Sequence, residues 1–323
     1  MSEPTQPRTI LHGGVPALLR WLVAIALLAL LFHFIPFAPL KTALSRVPLS
    51  RLLAVLLLYV LALLAATLKW HMIVGAAGAA LPLATSAQCF ASGLFGDLFL
   101  PSVIGGDIAR LAVGISRSPR PAAVVTGNVA DRLLDASAQL SLVLLGFVLL
   151  PSALPAALEI PARKFLFFSA SGGLFLLALL LLLRRPLFGG RSRRFRRRLA
   201  GVRHALGSVA RRPLLLVAGF LGGLAIQSSY ILLTFYLSGL CGLALPLGVW
   251  FFAWPLAKFA ALLPITQGGI GVRETAFLLL LVPFGASAPA VLATGIVWEG
   301  VIIAGGLFAG LSAFLLKTLE PDR

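Results

Sequence analysis

The sequence predicts an all-α polytopic membrane protein of two inverted repeats, with about six full spans and two re-entrant broken-helix hairpins. Three observations lead there. The chain is 59% hydrophobic and 11% charged with a mean hydropathy of +1.02, where soluble domains carry roughly 25% charged residues. Its apolar runs have the length of membrane-crossing helices and no period-2 alternation, which argues for helices rather than a barrel. One pattern also occurs twice: LPSVIGGDIARL at 100–111 and LPITQGGIGVRE at 263–274 share Leu-Pro, Gly-Gly and Arg at a constant offset of 163 residues (100 to 263).

Taken in order, spans are expected at about 16–36, 50–72, 123–150, 165–183, 213–238 and 286–316. In the first, the apolar run of about Trp21 to Phe37 follows Arg8 and Arg20, is longer than a signal-peptide core, lacks a small-x-small cleavage site, and reads as an uncleaved span. Two further apolar segments, 86–101 and 247–263, are too short to cross comfortably, and each ends at a copy of the repeated pattern. Moderately apolar stretches follow, Ile108–Ile115 and Thr275–Pro283. A short helix, a break and a second short helix describe a hairpin that is tolerated at membrane depth only inside protein or beside a water-filled cavity.

Charge sets the expected topology. Of the 27 basic residues, eleven lie between Arg184 and Arg212, and no acid occurs from Ile160 to Arg273. Beside a span, this reads as a cytoplasmic loop obeying the positive-inside rule, with contact to anionic head groups as an added role. Counting outward from it, both termini fall inside a bacterial inner membrane, and Arg110, Arg117 and Arg120 fall on the same side. The first hairpin then dips from the cytoplasmic face and the second from the outer face. Repeat 1 covers about 16–150 and repeat 2 about 165–316, so the chain divides into 1–183, the arginine-rich loop 184–212, and 213–323. Three crossings per half invert the second relative to the first, the arrangement of transporters whose broken helices meet near the midplane.

This distribution argues against nucleic acid as the partner. Cys89 and Cys241 lie in or beside apolar segments without CxxC spacing and read as buried small hydrophobes. His12, His33, His71 and His204 have no metal-ligand spacing. No P-loop, HExxH or G-x-S-x-G pattern is present, so neither an enzyme nor a cofactor or metal site is expected.

The chemistry rests on few residues. Of ten acids, six lie in or beside membrane segments: Asp97, Asp107, Asp131, Asp135, Glu274 and Glu299. Each is costly there unless paired or hydrated. Asp107 and Arg110 share a helical face, whereas the adjacent Arg273 and Glu274 point apart. The pairs Gly105–Gly106 and Gly268–Gly269 stand before expected helix starts, where free N–H groups and the helix dipole favour an anion. Arg110 and Arg273 would add bidentate donors suited to phosphate. The alternative is close packing by the glycines and an internal Arg110–Asp107 pair. Asn128, Asp131, Arg132, Asp135 and Gln139 fall within about 100° of one another on a helical wheel. Such a stripe faces the bundle interior, as structural pairing or as a pathway wall. Gly295, Glu299, Gly306 and Gly310 form a small-residue face on the last span, and Gln227, Tyr230, Thr234 and Ser238 a weaker polar one. Lys69 and Lys258 are expected to snorkel to the interface.

Four stretches resemble the transmembrane region of lysylphosphatidylglycerol synthases, a flippase-like family that includes stand-alone membrane proteins: LKWHMIVGAAG (68–78), FGDLFLPSVIGGDIARL (95–111), DRLLD (131–135) and LPITQGGIGVRETAF (263–277). The spacing agrees over about 15–316. Lys69 stands where the resemblance leads to an arginine. It implies a flippase fold with re-entrant helices, and a central cavity lined by Gly105, Gly106, Asp107, Arg110, Gly268, Gly269, Gly271, Arg273 and Glu274. The aminoacyl-transfer domain is missing from this sequence, so translocation without synthesis is implied. The expected function is movement of a phosphate-bearing lipid across the bilayer, with anionic or zwitterionic phospholipid as partner. Asp131, Arg132, Asp135 and Glu299 would supply hydration, charge balance or proton coupling. A secondary transporter of a small soluble anion, and less so a membrane-embedded lipid-modifying enzyme, are the alternatives.

Overall fold

The computed structural model describes residues 37–100, 103–150, 154–160, 163–164, 193–263, 265–266 and 268–319. The expected spans at 16–36 and 165–183 lie outside the described residues, as do both termini and the motif prolines Pro101 and Pro264. The described elements are helical: α1 Phe37–Ser45, α2 Leu49–Ala76, α3 Leu83–Phe99, α4 Val103–Arg117, α5 Pro121–Leu149, α6 Arg193–Ala210, α7 Pro213–Leu240, α8 Leu247–Ala261, α9 Val272–Leu281 and α10 Ala288–Leu319.

Four of these, α2, α5, α7 and α10, are long and apolar enough to cross a membrane, and they are the spans expected at 50–72, 123–150, 213–238 and 286–316. Their outer faces are apolar: Leu57, Val148, Leu214 and Phe314 are each more than half exposed. Leucine outside as well as inside is stable in lipid, not in water. The interior instead holds the bulky aromatics, with Trp70, Trp250, Trp298, Phe252 and Phe277 fully buried.

Proline and glycine set the helix ends. Pro48, Pro82 and Pro246 precede α2, α3 and α8, and Pro121 and Pro213 begin α5 and α7, positions where a missing N–H is harmless. α2 and α7 end alike. Gly78 and Gly242 turn left-handed at φ +94° and +90°. The next residues close Schellman bonds, Ala79 N–H to Val74 C=O (3.2 Å) and Leu243 N–H to Ser238 C=O (2.9 Å). Both helices have 28 residues and start 164 apart (49 to 213), and α3 and α8 also start 164 apart (83 to 247).

The long helices α2 and α7 pack antiparallel. Gly219 lies against Ile73, Gly222 against Lys69, and the Tyr230 ring 5.4 Å from that of Tyr59. The short helices form two packed pairs, α3 with α4 and α8 with α9. The first pair opens at the N-terminal end of α5, where Ser118 and Arg120 donate to the carbonyls of Ala79 and Gly78 at 3.0 and 3.3 Å. The second opens at the other end of α5, where Gly248 abuts Leu149 and Phe284 stacks near Phe252 at 6.4 Å. Arg117 and Arg120 therefore share an end of the bundle with Arg211 and Arg212, which precede α7.

The two copies of the repeated pattern differ in conformation, contrary to the expectation that both glycine pairs precede a helix. Gly105 and Gly106 lie inside α4. Gly268, Gly269 and Gly271 lie outside α9 with φ of +61°, +80° and +82°. The difference traces to Gly271, whose counterpart in the first copy is Ile108. That left-handed conformation is strongly disfavoured for a β-branched residue, so the first copy could not repeat the turn at this position without strain.

α5 and α8 meet through glycine. A Cβ on Gly146 would stand 2.4 Å from Phe252 N, whereas one on Gly75 would meet nothing within 4 Å. Gly146→Ala is expected to push the helices apart and cost about 1–3 kcal/mol. Gly75→Ala is expected to be neutral or to stabilise by up to about 1 kcal/mol. Thermal unfolding of the two variants in detergent checks the contrast.

Candidate functional site

The two breaks in the short helices meet. Gly268, at the tip of the second pair, has its Cβ position 3.3 Å from the Asp97 carbonyl at the end of α3. Around this contact lies a cavity of about 310 Å³ with walls from both helix pairs and from α2, α5, α7 and α10. Its apolar wall is an aromatic cluster of Tyr59, Tyr230, Trp254 and Trp298, with neighbouring centroids 5.4–6.4 Å apart. Among further apolar side chains such as Leu63, Leu94, Phe277 and Ile302, the lining also carries ten charged ones: Asp97, Asp107, Asp131, Asp135 and Glu299 against Lys69, Arg110, Arg132, Lys258 and Arg273. Five carboxylates face five cations, so the formal charge of the lining is zero.

The carboxylates of α5 are organised by Lys69. Its ammonium pairs with Asp131 and lies 3.0 Å from Asp135 Oδ1. Arg132 forms ion pairs without a hydrogen bond from Nε, which lies 3.1 Å from Asp107 Oδ1, and reaches Asp135 at 3.9 Å. The expected stripe on α5 thus divides. Asp131, Arg132 and Asp135 line the cavity, but Asn128 accepts the Trp70 Nε1–H at 2.8 Å and Gln139 is buried away from it.

The motif arginines are unequally engaged. Arg273 pairs tightly with Glu299 of α10. Arg110, only 3% exposed, has its nearest carboxylate oxygen, Asp107 Oδ1, at 3.7 Å, beyond hydrogen-bond range. Its Nε and Nη1 find no acceptor, and its guanidinium lies 3.9 Å from the Phe90 ring centroid. A guanidinium held by stacking and only loosely by charge keeps donors for a ligand.

Two of the motif glycine N–H groups are taken up by carboxylates of the chain itself. Gly106 N–H donates to Asp97 Oδ1 at 3.1 Å and Gly271 N–H to Glu274 Oε2 at 2.7 Å. In each copy a carboxylate of the chain takes the place expected for a ligand anion. Gly105 and Gly106 serve close packing instead: Cβ atoms there would fall 2.4 Å from Leu100 Cβ and 2.0 Å from Asp97 Oδ1. Gly105, Gly106, Gly269, Gly271 and Glu274 all lie off the cavity lining, while Asp107, Arg110, Gly268, Arg273 and Glu299 lie on it. Glu274 packs on Gly295, and Gly306 and Gly310 receive Leu98 and Phe95, so the small-residue face of α10 seats α9 and α3.

Lys69 and Lys258 do not snorkel. Lys69 is 8% exposed on the same face as Ala62, Ala66 and Ile73, a spacing of i, i+4, i+7 and i+11 that marks the buried side of α2. Lys258 donates to Gln227 Oε1 at 2.9 Å and lies over Tyr230 and Trp254 at 5.7 and 5.3 Å. Trp254 Nε1–H donates to Thr234 Oγ1 at 3.0 Å, so the weak polar face of α7 holds α8. Lys69→Met would leave the buried Asp131 without its cation and Asp135 with Arg132 alone, and is expected to cost about 3–5 kcal/mol. Adding Asp131→Asn should recover part of it, as read by thermal unfolding of the single and double variants.

No curated protein matches the chain. A family model described as the lysylphosphatidylglycerol synthase TM region matches residues 17–310. The chain therefore belongs to the lysylphosphatidylglycerol synthase transmembrane-region family of multi-pass membrane proteins.

Proposed function

We propose that the protein is a lipid translocator that carries a phosphate-bearing head group through the charged cavity while the acyl chains stay in the bilayer. The observation that carries this reading is Arg110, a buried guanidinium with unmet donors at the meeting point of two broken helices. A phosphate there gains charge-assisted hydrogen bonds without first breaking a tight ion pair. Its approach is favoured because two cations of the lining, Arg110 and Lys258, are not clasped by a carboxylate. The apolar outer faces of the spans suit a substrate whose tails remain in lipid. The reading is transport rather than catalysis, with anionic or zwitterionic phospholipid as the substrate class.

The account includes an inverted repeat. Support comes from the 164-residue offset of α2 and α7 and of α3 and α8, the shared Schellman ends, and the antiparallel run of α2 against α7. Adding the spans expected from the sequence at 16–36 and 165–183 would give each half three crossings and one hairpin. The two hairpin mouths lie at opposite ends of α5, so each break faces one side of the membrane. The positive-inside rule supports reading the end shared by Arg117, Arg120, Arg211 and Arg212 as the cytoplasmic one, in a bacterial inner membrane. The open Arg110 and the closed Arg273 are then the two halves of one exchange, in which the side that releases its carboxylate takes the head group.

Proteoliposomes carrying trace headgroup-labelled phosphatidylglycerol test the proposal, with label reached by a membrane-impermeant quencher as readout. Wild-type protein is expected to expose inner-leaflet label. Arg110→Gln should slow this about ten- to hundredfold, the equivalent of about 1.5–3 kcal/mol of charged hydrogen bonding. Transport of label by Arg110→Gln at the wild-type rate would overturn the role of this arginine. Wild-type protein that moves a soluble phosphate compound and no lipid would assign the cavity to small-anion transport.

A further inference from the structure

A second hollow lies on the outside of the bundle. It is a trough of about 290 Å³ between α2 and α7, with Leu68 and Met72 on one bank and Ala218, Gly222 and Ala225 on the other. The trough opens toward lipid: Leu68 and Met72 are 49% and 50% exposed, and Ala218 and Ala225 are exposed as well. Small residues on α7 alone would make it an ordinary helix groove. What separates it from one is its back wall. Lys69 and Ile226 line both the trough and the charged cavity. The stem of Lys69 lies over Gly222, its Cδ 3.4 Å from the Cβ position there, while its ammonium is held on the cavity side by Asp131 and Asp135.

We propose that this trough binds one acyl chain of the lipid whose head group enters the cavity, with Lys69 as the partition between chain and head. The proposal rests on the translocation reading of that cavity. An apolar channel and a charged chamber that share one amphipathic side chain match the two ends of an amphiphile. Length fits too. The trough runs over residues 65–73 of α2 and 215–226 of α7, about 12–16 Å at 1.5 Å per residue. That is about half of a hydrocarbon core of roughly 30 Å, the depth of one leaflet. It begins three residues beyond Arg212, so the leaflet is the one at the arginine-rich end.

Trp at position 218 fills the trough, and Trp at position 221 serves as control, because Leu221 is 55% exposed on α7 outside the trough. Native mass spectrometry of detergent-purified protein reads retained phospholipid without requiring transport. Wild-type and Leu221→Trp protein are expected to retain one phospholipid per chain. Ala218→Trp should weaken retention about tenfold, the loss of burying roughly two methylene groups. Equal retention by Ala218→Trp and wild type, or none by wild type, overturns the proposal. A dimer that separates in Ala218→Trp assigns the trough to a second copy and overturns it as well. The proteoliposome assay separates the two claims. Translocation intact in Ala218→Trp contradicts the trough and leaves the cavity reading standing. A wild-type protein that retains lipid but moves none contradicts the cavity reading alone.

Discussion

Two carboxylates, Asp97 and Glu274, each accept a backbone N–H beside a break in a short helix, and the rest of the structure is arranged around those two bonds. A helix that stops inside an apolar layer leaves donors that water cannot reach, each costing several kcal/mol if unmet. The chain supplies the acceptors itself. Asp97 ties the end of α3 to the first turns of α4, and Glu274 caps α9 from within. Both breaks are thereby stable at the centre of the bundle, and they touch each other at Gly268 and Asp97.

Meeting that backbone need brings charge into the interior, and charge brings counter-charge. Breaking a buried pair costs about 3–5 kcal/mol, so the lining is nearly closed electrostatically. Lys69 answers Asp131 and Asp135, Arg132 answers Asp107, and Arg273 answers Glu299. The balance is complete in number and incomplete in geometry. Arg110 is stacked on Phe90 rather than clasped by Asp107, and Lys258 is held by an amide and two aromatic rings. These two cations are where an incoming anion meets the least competition.

The repeated Leu-Pro, Gly-Gly and Arg pattern made the two breaks, and the arginines as charges inside the bundle, legible from letters alone. Conformation was not legible. The same Gly-Gly is helical in the copy that carries Ile108 and left-handed in the copy that carries Gly271, because glycine itself accepts either sign of φ. The glycine N–H groups read as a ligand grip because the sequence does not reveal that Asp97 and Glu274 fold back onto them. Lys69 illustrates a different loss. Its spacing with Ala62, Ala66 and Ile73 placed it on the buried face, but a lysine near the end of a span reads as an interfacial one until Asp131 and Asp135 are seen across from it. Lys258 carried no such periodic signal, since nearly every side of α8 is apolar.

The central claim is that the two helix pairs open toward opposite faces of the membrane and share one chamber between them. Ser116, at the mouth of the first pair, and Ser287, just beyond the second, are both exposed, and the described cysteines Cys89 and Cys241 are buried. Labelling of Ser116→Cys and Ser287→Cys in intact cells with a membrane-impermeant maleimide measures this most directly. The account predicts that Ser287→Cys reacts at once and Ser116→Cys only after the membrane is permeabilised. Reaction of both from the same side would contradict it.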